Sequence, residues 1–289
     1  MKKITLNILG LGKVGRVFAQ VWSRLPEVEI TGLYHRRPLS SDEQAQLPTA
    51  KVVQHLNQLP PADLWIIAVS DTSILEVATK LSQTTISFQQ AVVCHCSGIL
   101  TAEELLPLQA KGAAIASCHP ILNFAAFEQA VTHFTGCYIG LEGDSLAVQR
   151  LKPLLIALGT HPLEIPRQAK VLYHLMAVVS GNFVAILLDF AAKCAEKSLI
   201  DCKMAMRIVA PLMESTLANA ILHSPAEALS GPFSRLDKDS IHKHLDALQQ
   251  SLPAQEALYK ALGKAALQLN PDISLEANGK KEAIYNVLS

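Results

Sequence analysis

Through the first half of the chain, short apolar runs alternate with stretches whose apolar positions recur at helical spacing. The runs at 4–9, 28–34, 64–69, 91–96, 113–118, 137–141 and 161–165 predict strands. Residues 14–25, 73–81, 101–111 and 145–158 predict the helices between them. Strands that are apolar nearly throughout and alternate with helices form a doubly wound parallel sheet covered on both faces. After residue 164 the strand signal stops. Residues 168–198, 201–223, 239–251 and 253–269 read as helices, with Asp201 and Asp239 as N-caps, and a loop at 224–238 carries Pro225, Gly231 and Pro232. The expected organisation is α/β: a sheet domain at 1–164, then an all-α domain at 165–289.

Half of the 289 residues are apolar and only 17% are charged, which excludes general disorder and implies extensive burial. Lys+Arg and Asp+Glu both number 25, so the basic surplus of a nucleic-acid partner is missing. The most apolar helical stretch, 175–188, is interrupted by Ser180, Gly181 and Asn182 and falls short of the ~18 residues of a membrane span. The start loosely resembles a signal peptide, but Lys13 and Arg16 follow at once and no small-residue cleavage site closes the run. Cys94, Cys96, Cys118, Cys137, Cys194 and Cys202 lie in strand and helix patterns rather than a loop-rich framework, and read as reduced thiols. The expectation is a cytoplasmic protein with no membrane partner.

A helix at 168–198 would be about 45 Å long at 1.5 Å per residue. It is apolar on most sides through 175–188. Two readings stand: the central helix of a monomeric bundle, or a helix shared across an interface. With the low charge fraction, the second is the expectation, a homodimer through the helical domain.

The first strand runs into Gly10-Leu11-Gly12-Lys13-Val14-Gly15 and a helix follows. Between a strand and a helix this spacing is a dinucleotide fingerprint. One glycine makes the tight turn, one admits the diphosphate, one lets helix and strand pack closely, and the helix N-terminus supplies N–H groups. This makes the sheet domain a Rossmann domain. An NAD site usually places an acid about 20 residues on, at the end of the second strand. Here that end reads Tyr34-His35-Arg36-Arg37, without one. A guanidinium fork suits a 2′-phosphate, so NADP is expected over NAD, with Arg36 and Arg37 as ligands and His35 assisting. A solvated arginine pair is the alternative. Val69 and Ser70, at the end of the fourth strand, are expected along the cofactor.

Two further strand ends face the same crevice: Cys94-His95-Cys96-Ser97-Gly98 and Ser117-Cys118-His119-Pro120. Ser97 and His119 are candidates to bind and protonate a carbonyl or imine, with His119 as acid/base and Ser97 as its hydrogen-bonding partner. Ser97 also lies beside the expected cofactor. Residues 94 and 96 point away from 95 on a strand, so no metal is expected there. In the helical half, Lys170 and His174 share a helix face at i, i+4, and Asn182 lies two turns beyond His174. Substrate contact and satisfied packing both account for them, and His174 is a second candidate for the proton donor, with His119 preferred. In the loop, Ser230 and Arg235 are candidates for an anionic substrate, and Arg235 has Asp237 as an alternative partner.

These residues carry a resemblance. Residues 8–15, 68–71, 95–98, His119-Pro120, Tyr173-His174 with Gly181-Asn182, and 228–237 followed by His244-Leu245 are similar to the bacterial family that joins a Rossmann-like NADP-binding domain to the domain of unknown function 2520. That family usually has glycine where this chain has Leu236. The resemblance implies a clan that includes pyrroline-carboxylate reductase, prephenate dehydrogenase and ketopantoate reductase. Its second domain is helical, like that of 6-phosphogluconate dehydrogenase, and dimers are common. It implies a substrate role for Ser97 and His119, which match a serine and a His-Pro histidine of prephenate dehydrogenases. The clan's hydroxyacid dehydrogenases carry Lys and, four residues later, Asn; here Lys170 is followed by His174. The expected activity is hydride transfer between NADP and a carbonyl or imine of a small anionic metabolite. The alternative is an NADP(H)-binding sensor without catalysis.

Overall fold

The computed structural model describes residues 2–270 and 274–289. The chain forms two compact units, Met1–Gly181 and Asn182–Ser289. The expected boundary at 164 coincides with the end of the last strand, and the compact units divide further along, within the following helix.

In the first unit, strands β1 (Ile4–Leu9), β2 (Val28–Tyr34), β3 (Val52–Val53), β4 (Leu64–Ile67), β5 (Val92–His95), β6 (Ala114–Ile121), β7 (Tyr138–Gly143) and β8 (His161–Glu164) form one sheet in the order 3-2-1-4-5-6-7-8. Helices α1 (Lys13–Trp22), α2 (Ser41–Ala45), α3 (Asp71–Ser82), α4 (Leu106–Gln109), α5 (Phe127–His133), α6 (Ser145–Ala157) and α7 (Lys170–Ala177) belong to the same unit. Strand residues alternate between two cores, as a period of two requires. Leu6, Ile8, Leu64, Ile66, Val92 and Cys94 pack with Phe18 and Trp22 of α1 and Leu151 and Leu155 of α6. Leu9, Trp65, Ile67 and Val93 pack with Ile74, Ala78 and Leu81 of α3.

Three differences from the sequence reading have local causes. The first is in β6, which runs on to Ile121 and pairs β7 antiparallel, with His119 opposite Gly140. His119 therefore lies inside a ladder, past Ser117 where pairing to β5 ends, and not at a strand terminus. The second is the stretch expected as one helix at 101–111. It divides into a 3₁₀ turn, Ala102–Leu105, and α4, because Pro107 has no N–H to give and fits only the first turn of a new helix. The third is the short elements β3, α2 and α5, whose few residues make no readable period.

The second unit contains α8 (Phe183–Lys197), α9 (Cys202–Leu222), α10 (Pro225–Ala228), α11 (Pro232–Arg235), α12 (Lys238–Ser251), α13 (Glu256–Leu269) and α14 (Leu275–Val287). Ile241, Leu245, Leu267, Ile284 and Leu288 form its core. The expected loop holds two short helices because Pro225 and Pro232 each open one. Leu236 adopts the left-handed conformation with φ 54°. Asp237, rather than Asp239, caps α12, accepting from the Ser240 N–H at 3.1 Å.

Ser180, Gly181 and Asn182 do not break the long helix. Residues Val178–Asn182 widen into a π turn and the helical run continues. The run Arg167–Lys197 is thus, contrary to expectation, long and apolar enough by length and composition to cross a membrane.

At the first turn, a Cβ on Gly15 would stand 1.8 Å from the Gly10 carbonyl oxygen, so helix and turn touch through backbone alone. Gly15→Ala must push α1 off the sheet; overpacking of this kind typically costs about 1–3 kcal/mol or more. Urea unfolding of the purified variant should show a loss of that size, and a midpoint equal to wild type would refute the contact.

Candidate active site

The turn after β1 is shaped to admit a ligand. Gly10 has φ 90°, and a Cβ there would lie 2.6 Å from the Ala68 carbonyl oxygen. Gly12 is different: a Cβ there would meet nothing within 4 Å. It is the N-cap of α1, with no side chain capping the helix, so the first-turn N–H groups and the positive end of the dipole face open space. Leu11 is buried, whereas Lys13 is exposed and Val14 packs against the core. Val69 lies against the Gly10 turn, and Ser70 opens α3 with its hydroxyl 2.9 Å from that of Ser73. These features fit a dinucleotide diphosphate at a helix N-terminus.

The end of β2 is organised by a residue that the sequence reading missed. Glu43, in α2, accepts from Arg37 Nη1 at 3.0 Å and Nη2 at 2.8 Å, from Arg16 Nη1 at 2.8 Å and from the Ser40 N–H at 2.9 Å. The Arg37 guanidinium, then the Ser40 N–H, hold its carboxyl down at about 2. Arg16 also donates to the Leu11 carbonyl at 3.3 Å, so Glu43 links the glycine turn to the second strand's loop. Arg36 is exposed and makes no hydrogen bond or ion pair among the described residues. His35 Nδ1 accepts from the Leu11 N–H at 3.2 Å, which puts the ring hydrogen on Nε2, a buried atom without a partner among the described residues. Burial, then Arg37, lowers the His35 pKa.

The second cluster lies around β5 and β6. His95 is fully buried. The Ser97 N–H donates to its Nδ1 at 3.1 Å, so Nε2 carries the hydrogen and donates to the Thr101 carbonyl at 2.9 Å. Burial pushes its pKa to about 4, so this histidine is a neutral brace for the turn. Ser97 Oγ accepts from the Leu100 N–H at 3.1 Å. It is not the partner of His119. That place belongs to Tyr173 in α7, whose hydroxyl lies 3.0 Å from His119 Nδ1 and 3.4 Å from the His119 carbonyl oxygen. The His119 and His174 rings meet edge to face at 5.9 Å.

Two close approaches make this cluster possible. A Cβ on Gly140, opposite His119, would stand 2.3 Å from the Tyr173 hydroxyl. One on Gly98 would stand 2.6 Å from His174 Cδ2 and 2.8 Å from His119 Nε2. Beneath the rings, buried Lys170 donates to the Ser97 carbonyl at 3.2 Å and to Ser117 Oγ, which itself donates to the Ser97 carbonyl at 3.0 Å. Burial lowers the lysine to about 8, against the opposing pull of Glu142. Glu142 Oε2 accepts from the Ala102 N–H at 2.7 Å, and Oε1 faces Arg167 Nε at 3.5 Å. Burial first, then Lys170, brings His119 to about 4, and burial raises Tyr173 to about 12. Lys170 stands out in the sequence as a polar group on an apolar helix and Tyr173 only as part of the family resemblance, without a sign that they meet β6.

In the second unit, Asn182 closes the π turn and is exposed, as are Ser230 and Arg235. Asp237 spends its carboxylate on Ser240, and Arg235 makes no ion pair among the described residues.

Three solved structures share the fold. A Bacteroides fragilis protein assigned as an NADP oxidoreductase is 20% identical, with TM-score 0.77, over 92% of this chain and 98% of its own. A Thermotoga maritima protein is 24% identical, with TM-score 0.66, over 92% and 98%. Pyrroline carboxylate reductase from Plasmodium falciparum, solved with NADP bound, is 13% identical, with TM-score 0.58, over 99% of each chain. A search of curated proteins finds none that matches. Residues 1–120 match the Rossmann-like domain, and residues 137–266 match the domain of unknown function 2520. The chain thus carries a match to the Rossmann-like domain followed by a match to the domain of unknown function 2520.

Proposed function

We propose that the protein is an NADP-dependent oxidoreductase acting on a carbonyl or imine of a small anionic metabolite. The carrying observation is that one sheet presents both parts at the carboxyl ends of its parallel strands: the open glycine turn after β1, and the part-buried His119–Tyr173 pair just past the end of β5. Ligands of open α/β sheets bind along that edge. The shared fold with an NADP-bound pyrroline carboxylate reductase supports the choice of cofactor.

NADP, when bound, supplies or accepts the hydride. The turn Gly10, Leu11, Gly12, Lys13, Val14 and Gly15 would hold its diphosphate, Arg36 with His35 would meet the adenosine ribose while Arg37 beside them is engaged by Glu43, and Val69, Ser70 and Ser97 would border it. His119 moves the proton at Nε2. Its neutral state at pH 7 suits it to take a proton from a substrate hydroxyl or amine on oxidation, and to return it on reduction. Tyr173 orients the ring through Nδ1, and Lys170 fixes the Ser97 turn while favouring the neutral imidazole. His174 borders the same space, and Asn182, Ser230 and Arg235 are the substrate-binding candidates of the second unit.

The exposed helices point to a second copy of the chain. Alpha-helix α8 buries none of its residues and α9 only Ala205. Val184, Ile186, Ile208, Leu212, Leu217 and Ile221 are all exposed. Alongside them α9 carries Arg207 and Glu214, which a bilayer interior disfavours and a protein interface accommodates. We infer a homodimer through these helices.

Four outcomes are expected. Screened against carbonyl and imine metabolites by NADPH absorbance, the protein turns over at least one. His119→Asn then lowers kcat about 10²–10⁴-fold with NADPH affinity unchanged. A dead His174→Asn beside a normal His119→Asn reverses the two roles, and silence across a broad panel with NADPH bound favours the sensor. Gly12→Ala should keep its melting behaviour, within about 0.5 kcal/mol, and lose NADP+ affinity at least tenfold; calorimetric titration showing unaltered affinity refutes the diphosphate site. Light scattering at micromolar concentration should give twice the 31.3 kDa chain mass, and a clean monomer ends the dimer proposal.

A further inference from the structure

An acid does stand near the end of β2, but on the helix after it. Glu43 grips Arg37 through two parallel N–H···O bonds and shares the same carboxylate with Arg16. Four donors converge on its two oxygens, counting the Ser40 N–H. The capping box fixes this arrangement: the Ser40 hydroxyl accepts from the Glu43 N–H at 3.2 Å while the Glu43 side chain returns to the Ser40 N–H. The side chain of Glu43 is 18% exposed and that of Arg37 is 61% exposed, so a ligand arriving from solvent meets the guanidinium with its two terminal nitrogens already engaged. A fork that is bidentate to a carboxylate cannot be bidentate to a phosphate on the same edge. Arg36, next to it, has no such partner among the described residues.

We propose that Glu43 sets the selectivity of the site between phosphorylated and unphosphorylated adenosine ribose, by withholding Arg37 from the 2′-phosphate and leaving that phosphate to Arg36. The proposal rests on the NADP reading above and specifies how this chain tunes it. Glu43 weakens NADP(H) binding without abolishing it, because a half-exposed ion pair is a modest competitor for a phosphate dianion. It also leaves a carboxylate near the ribose, where an unphosphorylated 2′-hydroxyl is tolerated. The site is therefore less exclusive for NADP(H) than its arginines suggest.

The test is calorimetric titration of NADP+ and NAD+ at one ionic strength into wild type and variants. Glu43→Gln and Glu43→Ala should each tighten NADP+ about three- to tenfold and change NAD+ less than twofold. Arg37→Ala should leave NADP+ affinity within about threefold in the wild-type background and cancel the whole gain in the Glu43→Gln background. Arg36→Ala should weaken NADP+ at least tenfold in both. Weaker or unaltered NADP+ binding in both Glu43 variants, with circular dichroism like wild type, overturns the proposal. So does a tenfold loss from Arg37→Ala alone. A wild type that binds neither dinucleotide refutes the NADP reading and this proposal with it, whereas NADP+ binding that ignores Glu43 refutes this proposal only.

Discussion

The first unit is organised by a contact between two stretches of backbone. Where Gly15 meets the carbonyl of Gly10 there is no volume for even a methyl group. This brings the start of α1 directly over the end of β1. The rest of the nucleotide corner depends on that approach: the uncapped N–H groups aimed outward, Val69 of the neighbouring connection against Gly10, and the reach of Arg16 back to the Leu11 carbonyl. A helix standing further off would still pack its apolar face on the sheet, but it would present no concave turn.

The same device recurs around β5 and β6. Gly98 and Gly140 are places where the sheet layer gives up side-chain volume so that rings from α7 and β6 can come together. His119, Tyr173 and His174 occupy what those glycines vacate. Below them the polar atoms are few and nearly all committed: Ser117 and Lys170 converge on one carbonyl, that of Ser97. A buried amine with hydroxyl and carbonyl partners, and no carboxylate in direct contact among the described residues, sets a positive field under His119. The ring's basicity is lowered by position as well as by burial.

Much of this was legible in the sequence because it is periodic or punctuated. The apolar runs of β1, β2, β4 and β5 and the glycine spacing at 10, 12 and 15 have direct physical meanings, and the structure places them accordingly. What escaped is non-local. The apolar pattern of residues 137–141 says strand but not direction, so the antiparallel pairing of β7 was invisible, and with it the placing of His119 inside a ladder. Tyr173 and His119 are far apart in the chain, and no spacing rule joins them. Glu43 was missed for another reason: α2 is five residues long, too short to show a period, although Ser40 followed three residues later by Glu43 is a capping signal in plain sequence.

The rims of the sheet bear on how the molecule behaves at high concentration. Edge strands invite another chain to add itself by backbone pairing. Here one rim is β3, two residues long, and the other is β8, whose second residue is Pro162, a position with no N–H to offer. Neither gives a template long or regular enough for strand addition. Strand addition at either rim is therefore disfavoured, despite half the residues being apolar.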